Sequence, residues 1–389
     1  MKQLFIVTAF LIVLVFTGCG TKKNAVSADN DVTDKDTFFN DETNEGVDDD
    51  AVDGDLSDDT DVDTDVEDTL IHDCISEAKI NEAVKFIESR NYIDSFIVTY
   101  KNKPVTEKYY NSFTGEKLHE IQSATKTFTA VLTGIAIDEG IIESVDQKIS
   151  ELLPAYQDML TDDKSDITVK HLLTMTSGLK WTDFGSGNSF EKIAQAEDSV
   201  AFILGEPLVT NPGEKFFYNT GSPHLLSAII KLNSGMSTEK FAEKHLFEPL
   251  EISEYDWPVL QDGINQGGWG MYMKPGDFLK LGQLILQKGI WDDTEIVSST
   301  FVKEMTEFQV SNGRGGGYGY QMWLDYNLFN AEDIAGARGY GGQDCLVIPS
   351  LDLVVVFTGN IYYPSQMHTD VIKIMNSYVL PSHCEYENP

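Results

Sequence analysis

Gln122-Ser123-Ala124-Thr125-Lys126-Thr127-Phe128 is the stretch on which the reading of this chain turns. Ser123 and Lys126 stand three residues apart, so a helix carries both side chains on one face, one turn apart. A lysine held there in an apolar setting is pushed toward its neutral form. It can then take the proton of a serine hydroxyl, which is a weak nucleophile unassisted. The same Ser-x-x-Lys spacing begins at Ser76, Ser177, Ser189 and Ser237, so spacing alone does not choose among the five. Context does. Phe128, Val131, Leu132, Ile135 and Ala136 follow Ser123 at a helical period, and Gly140 reads as the C-cap. Ser123 therefore opens an apolar helix, where unpaired N–H groups and the helix dipole favour developing negative charge. Ser76 and Ser237 precede charged faces, and Ser177 precedes Gly178 in a turn.

Working outward, the N-terminus is a targeting segment. Lys2 supplies the charge, Leu4 to Phe16 the apolar run, and Thr17-Gly18-Cys19 the small-residue end. Residues 1–18 look like a bacterial lipoprotein signal, with Cys19 as the lipidated residue. The mature protein is expected to be exported and held to a bacterial membrane through Cys19, on the periplasmic or cell-surface face. Residues 19–73 then read as a lipidated cysteine and an acidic disordered tether. Within it, residues 29–68 hold 16 Asp, three Glu and one Lys, a charge of −18 out of the formal −35. Asp61-x-Asp63-x-Asp65 lacks the glycine and glutamate of a calcium loop. The folded part, 74–384, has no lysine or arginine cluster, which makes nucleic acid a poor partner; residues 385–389 are a tail.

Ile80, Ala83, Val84 and Ile87 mark a helix over about 75–90. Ser95–Tyr100 and Val105–Tyr110 read as a hairpin around Lys101-Asn102-Lys103-Pro104. A loop-rich helical region covers about 140–290. Strands return at Gly317–Trp323, Asp344–Ile348 and Leu353–Thr358, and Val371, Ile374, Met375 and Tyr378 mark a last helix. The expected fold class is α+β: an antiparallel sheet flanked by N- and C-terminal helices, with an inserted helical lobe and a site between the two parts. The histidines lack zinc-ligand spacing with a glutamate, and no Gly-x-Ser-x-Gly elbow is present. No metal and no cofactor is expected.

Four stretches in order carry a more specific resemblance: Ser123-Ala124-Thr125-Lys126, His171-Leu172-Leu173-Thr174-Met175-Thr176-Ser177-Gly178-Leu179, Pro212-Gly213-Glu214-Lys215-Phe216-Phe217-Tyr218-Asn219-Thr220-Gly221, and Gly339-Tyr340-Gly341-Gly342-Gln343 leading to Pro349. Together with Gly267–Leu286 they span nearly all of 74–384. The folded part resembles the serine β-lactamase-related family: class C β-lactamases, D-alanyl-D-alanine peptidases, and esterases and amidases of the same fold. The resemblance implies a β-lactamase/transpeptidase-like fold and a serine hydrolase working through an acyl-enzyme. Ser123 would be the nucleophile, with Lys126 and Tyr218 sharing acid–base work. The backbone N–H groups of Ser123 and Gln343 would hold the oxyanion. Asn219, Thr220, Tyr340, Gly341 and Gly342 would line the substrate.

Two positions depart from the β-lactam-active pattern. Thr220 stands where Asn is usual, with Asn219 between it and the tyrosine. Tyr340 stands where Lys or His opens the third motif, and Arg338 is the neighbouring cation that would have to replace it. These changes favour an ester or amide substrate over a β-lactam. The alternative is a catalytically silent relative that binds a ligand or senses the cell wall. Expected partners are thus a small ester or amide, or cell-wall-related material, and the lipid bilayer through Cys19. The resemblance also sets the first and last helices side by side and antiparallel, so Cys74 and Cys384 are expected to form a disulfide, with Cys345 free and buried. Such a bridge would add about 4–5 kcal/mol by the chain-entropy argument.

Overall fold

The computed structural model describes residues 70–71, 74–183, 185, 188–360 and 362–386. The signal segment, Cys19 and the acidic stretch with its Asp61-x-Asp63-x-Asp65 run lie outside the described residues. No helix among the described residues is long and apolar enough to cross a membrane.

The main sheet is antiparallel and has eight strands: β1 (Ile93–Tyr100), β2 (Lys103–Tyr109), β3 (Val310–Ser311), β4 (Gly317–Tyr318), β5 (Trp323–Leu324), β6 (Ala335–Gly339), β7 (Gln343–Ile348) and β8 (Leu353–Gly359). Their order across the sheet is β3-β4-β5-β6-β7-β8-β1-β2. Five helices frame it: α1 (Glu77–Glu88), α2 (Thr125–Asp138), α3 (Gly221–Ser234), α4 (Pro275–Leu286) and α5 (Pro364–Ile374). The central strands read as unbroken apolar runs because both faces are covered. Val354 and Val356 of β8, with Cys345 and Val347 of β7, face the core shared with α2, α3 and α4. Leu353, Val355 and Phe357, with Leu346 and Ile348, face the second core under α1 and α5.

Helix α2 lies inside the first core, with every residue from Thr125 to Ala136 buried. That explains its near-uniform apolar composition. Its threonines are satisfied internally: Thr129 donates to Gly267 O at 2.7 Å and Thr133 to Thr129 O at 2.8 Å. Cys74 and Cys384 are joined by a disulfide with Cα atoms 5.0 Å apart, and Cys345 is a free, buried thiol.

Two strand readings need correction. Gly317–Trp323 is not one strand but two short ones, because Gln321 takes a positive φ of 56° and turns the chain between them. Ala335–Gly339 is a strand that its alanine and glycine content conceals. Its residues are small because the turn before Ser123 packs against it: a Cβ on Gly339 would lie 2.3 Å from Ile121 O.

Candidate active site

Ser123 sits in a short 3₁₀ turn, Gln122–Ala124, that runs directly into α2. The turn is entered through Gln122 at a positive φ of 50°. It is pinned from both sides. Ile121 N donates to Met271 O at 2.9 Å, Thr125 Oγ1 donates to Gln122 O at 2.7 Å, and Met271 N donates back to Thr125 Oγ1 at 3.3 Å. Lys126 points back along the helix, its Nζ 2.8 Å from Ser123 Oγ and 2.6 Å from Gly268 O. The lysine is only 2% exposed. Burial pulls its pKa down to about 7, with the charge of Asp183 acting in the opposite direction.

The other four Ser-x-x-Lys copies do something else. Ser76 caps α1 by accepting from Lys79 N, and Ser237 caps the helix Thr238–Ala242 by accepting from Lys240 N at 3.1 Å. Ser189 Oγ accepts from Thr182 N at 3.1 Å, and Ser177 Oγ lies 3.2 Å from Ser222 Oγ. In the two capping copies the lysine contributes its backbone; in the Ser123 copy it contributes its amine.

Tyr218 is clamped in place by the His171–Leu179 stretch. That stretch begins with a capping box in which Thr168 and His171 exchange bonds, so His171 is structural. Beyond it, Met175 takes a positive φ and accepts from Phe217 N at 2.8 Å through its carbonyl. Trp323 stacks on Tyr218 with ring centroids 5.6 Å apart, and Tyr318 meets Trp323 edge-on at 5.1 Å. Lys126 Nζ lies 5.0 Å from the centroid of the Tyr218 ring. Burial and the Asp183 charge raise the phenol's pKa well above its ordinary value, while a hydrogen bond with Ser123 pulls the other way. At neutral pH the tyrosine is therefore a proton donor and the lysine the group able to change state.

The Tyr340-Gly341-Gly342 turn joins β6 to β7. Gln343, fully buried, fastens it: its Nε2 donates to Gly359 O at 2.7 Å and Gly341 O at 3.2 Å, and its Oε1 accepts from Gly359 N at 3.2 Å. Gly342 holds φ at +80°, and a Cβ there would run into Met367 of α5. Gly339 pairs with Gln343 across the turn and abuts the Ile121–Gln122 lead-in. The start of β7 and the Ser123 turn thus share one seam. Tyr340 is 38% exposed on the turn.

Two expected site residues are placed elsewhere. Asn219 is 1% exposed, and its amide is used inside the protein: Oδ1 accepts from Gly221 N and Ser222 N at 2.8 and 3.2 Å, and Nδ2 donates to Leu179 O at 2.9 Å. It holds the first N–H groups of α3 and is engaged inside the protein. Arg338 does not stand in for the missing motif lysine. Alternation along β6 turns it to the sheet's outer face, where it donates to Asp344 at 2.8 Å, to Asp325 at 2.5 Å and to His368 Nδ1 at 2.8 Å. Its charge is already neutralised there. Thr220 is also buried, its methyl packed against Gly268.

The sequence reading missed Gly268, whose carbonyl holds Lys126 and whose Cβ position is filled by Thr220 at 2.7 Å. The Gly267-Gly268 doublet was the available signal. It also missed Asp183, which no local pattern marks.

Comparison with known proteins bears on the family and the fold. The family model described as Beta-lactamase matches residues 92–377. The chain is 24% identical over 160 residues to the ML-236A carboxylate methylbutanoyltransferase mlcH of Penicillium citrinum, covering 36% of this chain and 38% of that protein. It is 30% identical over 157 residues to a beta-lactamase of Escherichia coli K12, covering 39% and 36%. The chain thus matches little more than a third of the length of these curated relatives. A Bacillus anthracis structure described as a 6-aminohexanoate-dimer hydrolase superposes with a TM-score of 0.66 at 19% identity, covering 75% of this chain and 79% of that one. With the antiparallel sheet, the flanking helices and a family match over most of the folded part, the chain belongs to the Beta-lactamase family.

Proposed function

We propose that this protein is a serine hydrolase that acylates Ser123 and acts on esters or activated amides rather than on β-lactams. The carrying observation is Lys126: a buried amine at about 7, 2.8 Å from the Ser123 hydroxyl. When neutral, Lys126 keeps one N–H bond to Gly268 O and offers its lone pair to the hydroxyl proton. Ser123 Oγ then bonds to the acyl carbon as the proton passes to Nζ. The N–H groups of Ser123 and Gln343 hold the oxyanion. The bond to the leaving group breaks as Tyr218 supplies its proton, and Lys126 reprotonates the phenol. Water reverses the sequence and frees the acid. No cofactor enters.

The substrate class follows from charge. A β-lactam or a peptidoglycan stem presents a carboxylate, and no lysine opens the third motif while Arg338 is spent on two aspartates. The transferase and hydrolase relatives are consistent with acyl chemistry on other esters and amides. Export, cleavage before Cys19 and a lipid anchor complete the proposal: a hydrolase held to a bacterial membrane by a long acidic tether.

Incubation with a fluorophosphonate followed by intact-mass analysis tests the nucleophile, and one adduct on Ser123 is expected. Short-chain esters assayed beside a chromogenic cephalosporin test the substrate class. A cephalosporin kcat/KM above that of every ester overturns it.

A further inference from the structure

Gly267-Gly268-Trp269-Gly270-Met271 is a buried segment that runs between the first turns of α2 and α3. Its glycines permit the close approach to α3: a Cβ on Gly267 would lie 2.2 Å from Pro223 O, and one on Gly268 would lie 2.7 Å from Thr220 O. On the α2 side it makes four bonds. Met271 O accepts from Ile121 N at 2.9 Å, and Met271 N donates to Thr125 Oγ1 at 3.3 Å. Gly268 O accepts from Lys126 Nζ at 2.6 Å, and Gly267 O accepts from Thr129 Oγ1 at 2.7 Å. Beyond Met271, Tyr272 and Met273 pair with Glu120 and His119, just before the serine turn. One piece of backbone therefore holds both the turn that carries Ser123 and the amine that faces it.

Thr125 joins these two holds. It is fully buried, and its hydroxyl is used in both senses: it donates to Gln122 O at 2.7 Å and accepts from Met271 N. Gln122 has a φ of 50°, which a residue other than glycine keeps only where its surroundings fix it. The Thr125 bond lands on the carbonyl of that residue, directly before Ser123. A closed path thus runs from the serine turn through Thr125 and Met271 to Gly268 O, then to Lys126 Nζ, which lies 2.8 Å from Ser123 Oγ. Misplacing reacting groups by about 1 Å costs about 10²-fold in rate, so what fixes this separation matters to the chemistry.

We propose that Thr125 is a positioning residue: its hydroxyl ties the Ser123 turn to the Gly267-to-Met271 segment and so sets the separation of Ser123 Oγ from Lys126 Nζ. The proposal rests on the hydrolase reading for its effect on rate, but not for its structural readout.

Thr125→Val keeps the volume and removes both bonds, whereas Thr125→Ser keeps the hydroxyl and loses the methyl. In stopped-flow acylation by p-nitrophenyl acetate, Thr125→Val should lower the maximal rate about 10²-fold while the half-saturating ester concentration changes by less than about threefold. Thr125→Ser should stay within about threefold of the native rate. Thr125→Ala takes the place of Thr125→Val if the latter does not fold, with the same expected loss. Thr133→Val is the control: Thr133 is buried in the same helix and donates to Thr129 O at 2.8 Å. Its rate should stay within about threefold of native. A native rate in Thr125→Val, a Thr125→Ser as slow as Thr125→Val, or an equal loss in Thr133→Val overturns the assignment. Crystal structures supply the arm that does not need turnover. In Thr125→Val the Ser123 Oγ–Lys126 Nζ separation should open beyond about 3.5 Å, and in Thr125→Ser it should remain a hydrogen bond. An unchanged separation in Thr125→Val overturns the proposal. Opening of the pair in a protein whose native form is acylated by no ester sustains it and counts against the hydrolase reading instead.

Discussion

Two serines in this molecule each have a basic side chain at hydrogen-bond distance, and their surroundings differ. Ser123 is partly exposed in a turn between a seam of the sheet and an apolar helix, with Lys126 Nζ at 2.8 Å. Ser199 has no exposure at all. Its Oγ donates to Asp262 Oδ2 at 2.5 Å, its N donates to the same oxygen at 2.8 Å, and His224 Nε2 lies 2.7 Å from Oγ. Residue types alone would make the second group, Ser-His-Asp, the better hydrolase. Its wiring is wrong for that. The carboxylate binds the serine and not the imidazole, so the hydroxyl proton already points at Asp262, and the serine itself is fully buried. At Ser123 the neighbouring amine is the group whose pKa is drawn down to about 7, and the serine is partly exposed. The difference teaches that the direction of the hydroxyl proton and its access to substrate separate a nucleophile from a packing group.

The largest test of this contrast is a pair of alanines. Ser123→Ala should remove at least about 10⁴-fold of ester turnover and all covalent labelling while leaving the melting temperature nearly unchanged. Ser199→Ala should keep its turnover below its own melting temperature. A mass adduct on Ser199 would break the comparison.

The base comes next. Lys126→Met should cost about 10³-fold in acylation, measured by stopped-flow with an activated ester. In the native protein, kcat/KM should fall below a pH of about 7, because the ammonium form cannot accept a proton. The slope there should be about tenfold per pH unit. A profile flat from pH 8 to 5 rules out Lys126 as the base.

Stability reads the second serine group. Burial holds the His224 imidazole down to about 4, against 6.5 for the free side chain. The sign is that of a depressed group: its contribution is fully present above pH 6.5 and is lost as pH falls toward 4, because the unfolded chain binds the proton first. Urea titrations at pH 7 and pH 4 should differ by about 3 kcal/mol from this residue, and a His224→Phe variant should lack that part of the slope. The smallest effect is that of Ser199→Ala on folding, about 1–3 kcal/mol, because it takes a hydrogen-bond partner from Asp262 and from the buried His224. A variant as stable as the native protein would mean that the group holds nothing together.

Much of this was readable from residue order, and the failures share a cause. Apolar runs long enough to be buried on both faces marked β1, β7 and β8, and helical periods marked α1, α2 and α5. β6 escaped because its composition answers to the backbone pressed against it rather than to strand propensity. Ser123, Lys126 and Tyr218 could be singled out from the sequence because they stand in local motifs, and the structure brings the three together. The internal bonds of Asn219 and the role of Gly268 were not legible for one reason: which way a side-chain amide turns, and which carbonyl meets an amine 142 residues away, are decided by tertiary packing. Arg338 was close in sequence to the site yet on the wrong side of a strand, a matter of one residue's alternation.

The Cys74–Cys384 bridge makes the folded body a closed covalent ring of chain. A protease that nicks an exposed turn inside it, such as Lys101–Asn102 or Asp292–Asp293, opens the ring without releasing a piece. The nicked protein stays one molecule on a non-reducing gel and separates into two only after thiol treatment. If the residues before Cys74 tie the protein to a surface, a single cut leaves both fragments attached there, Ser123 included.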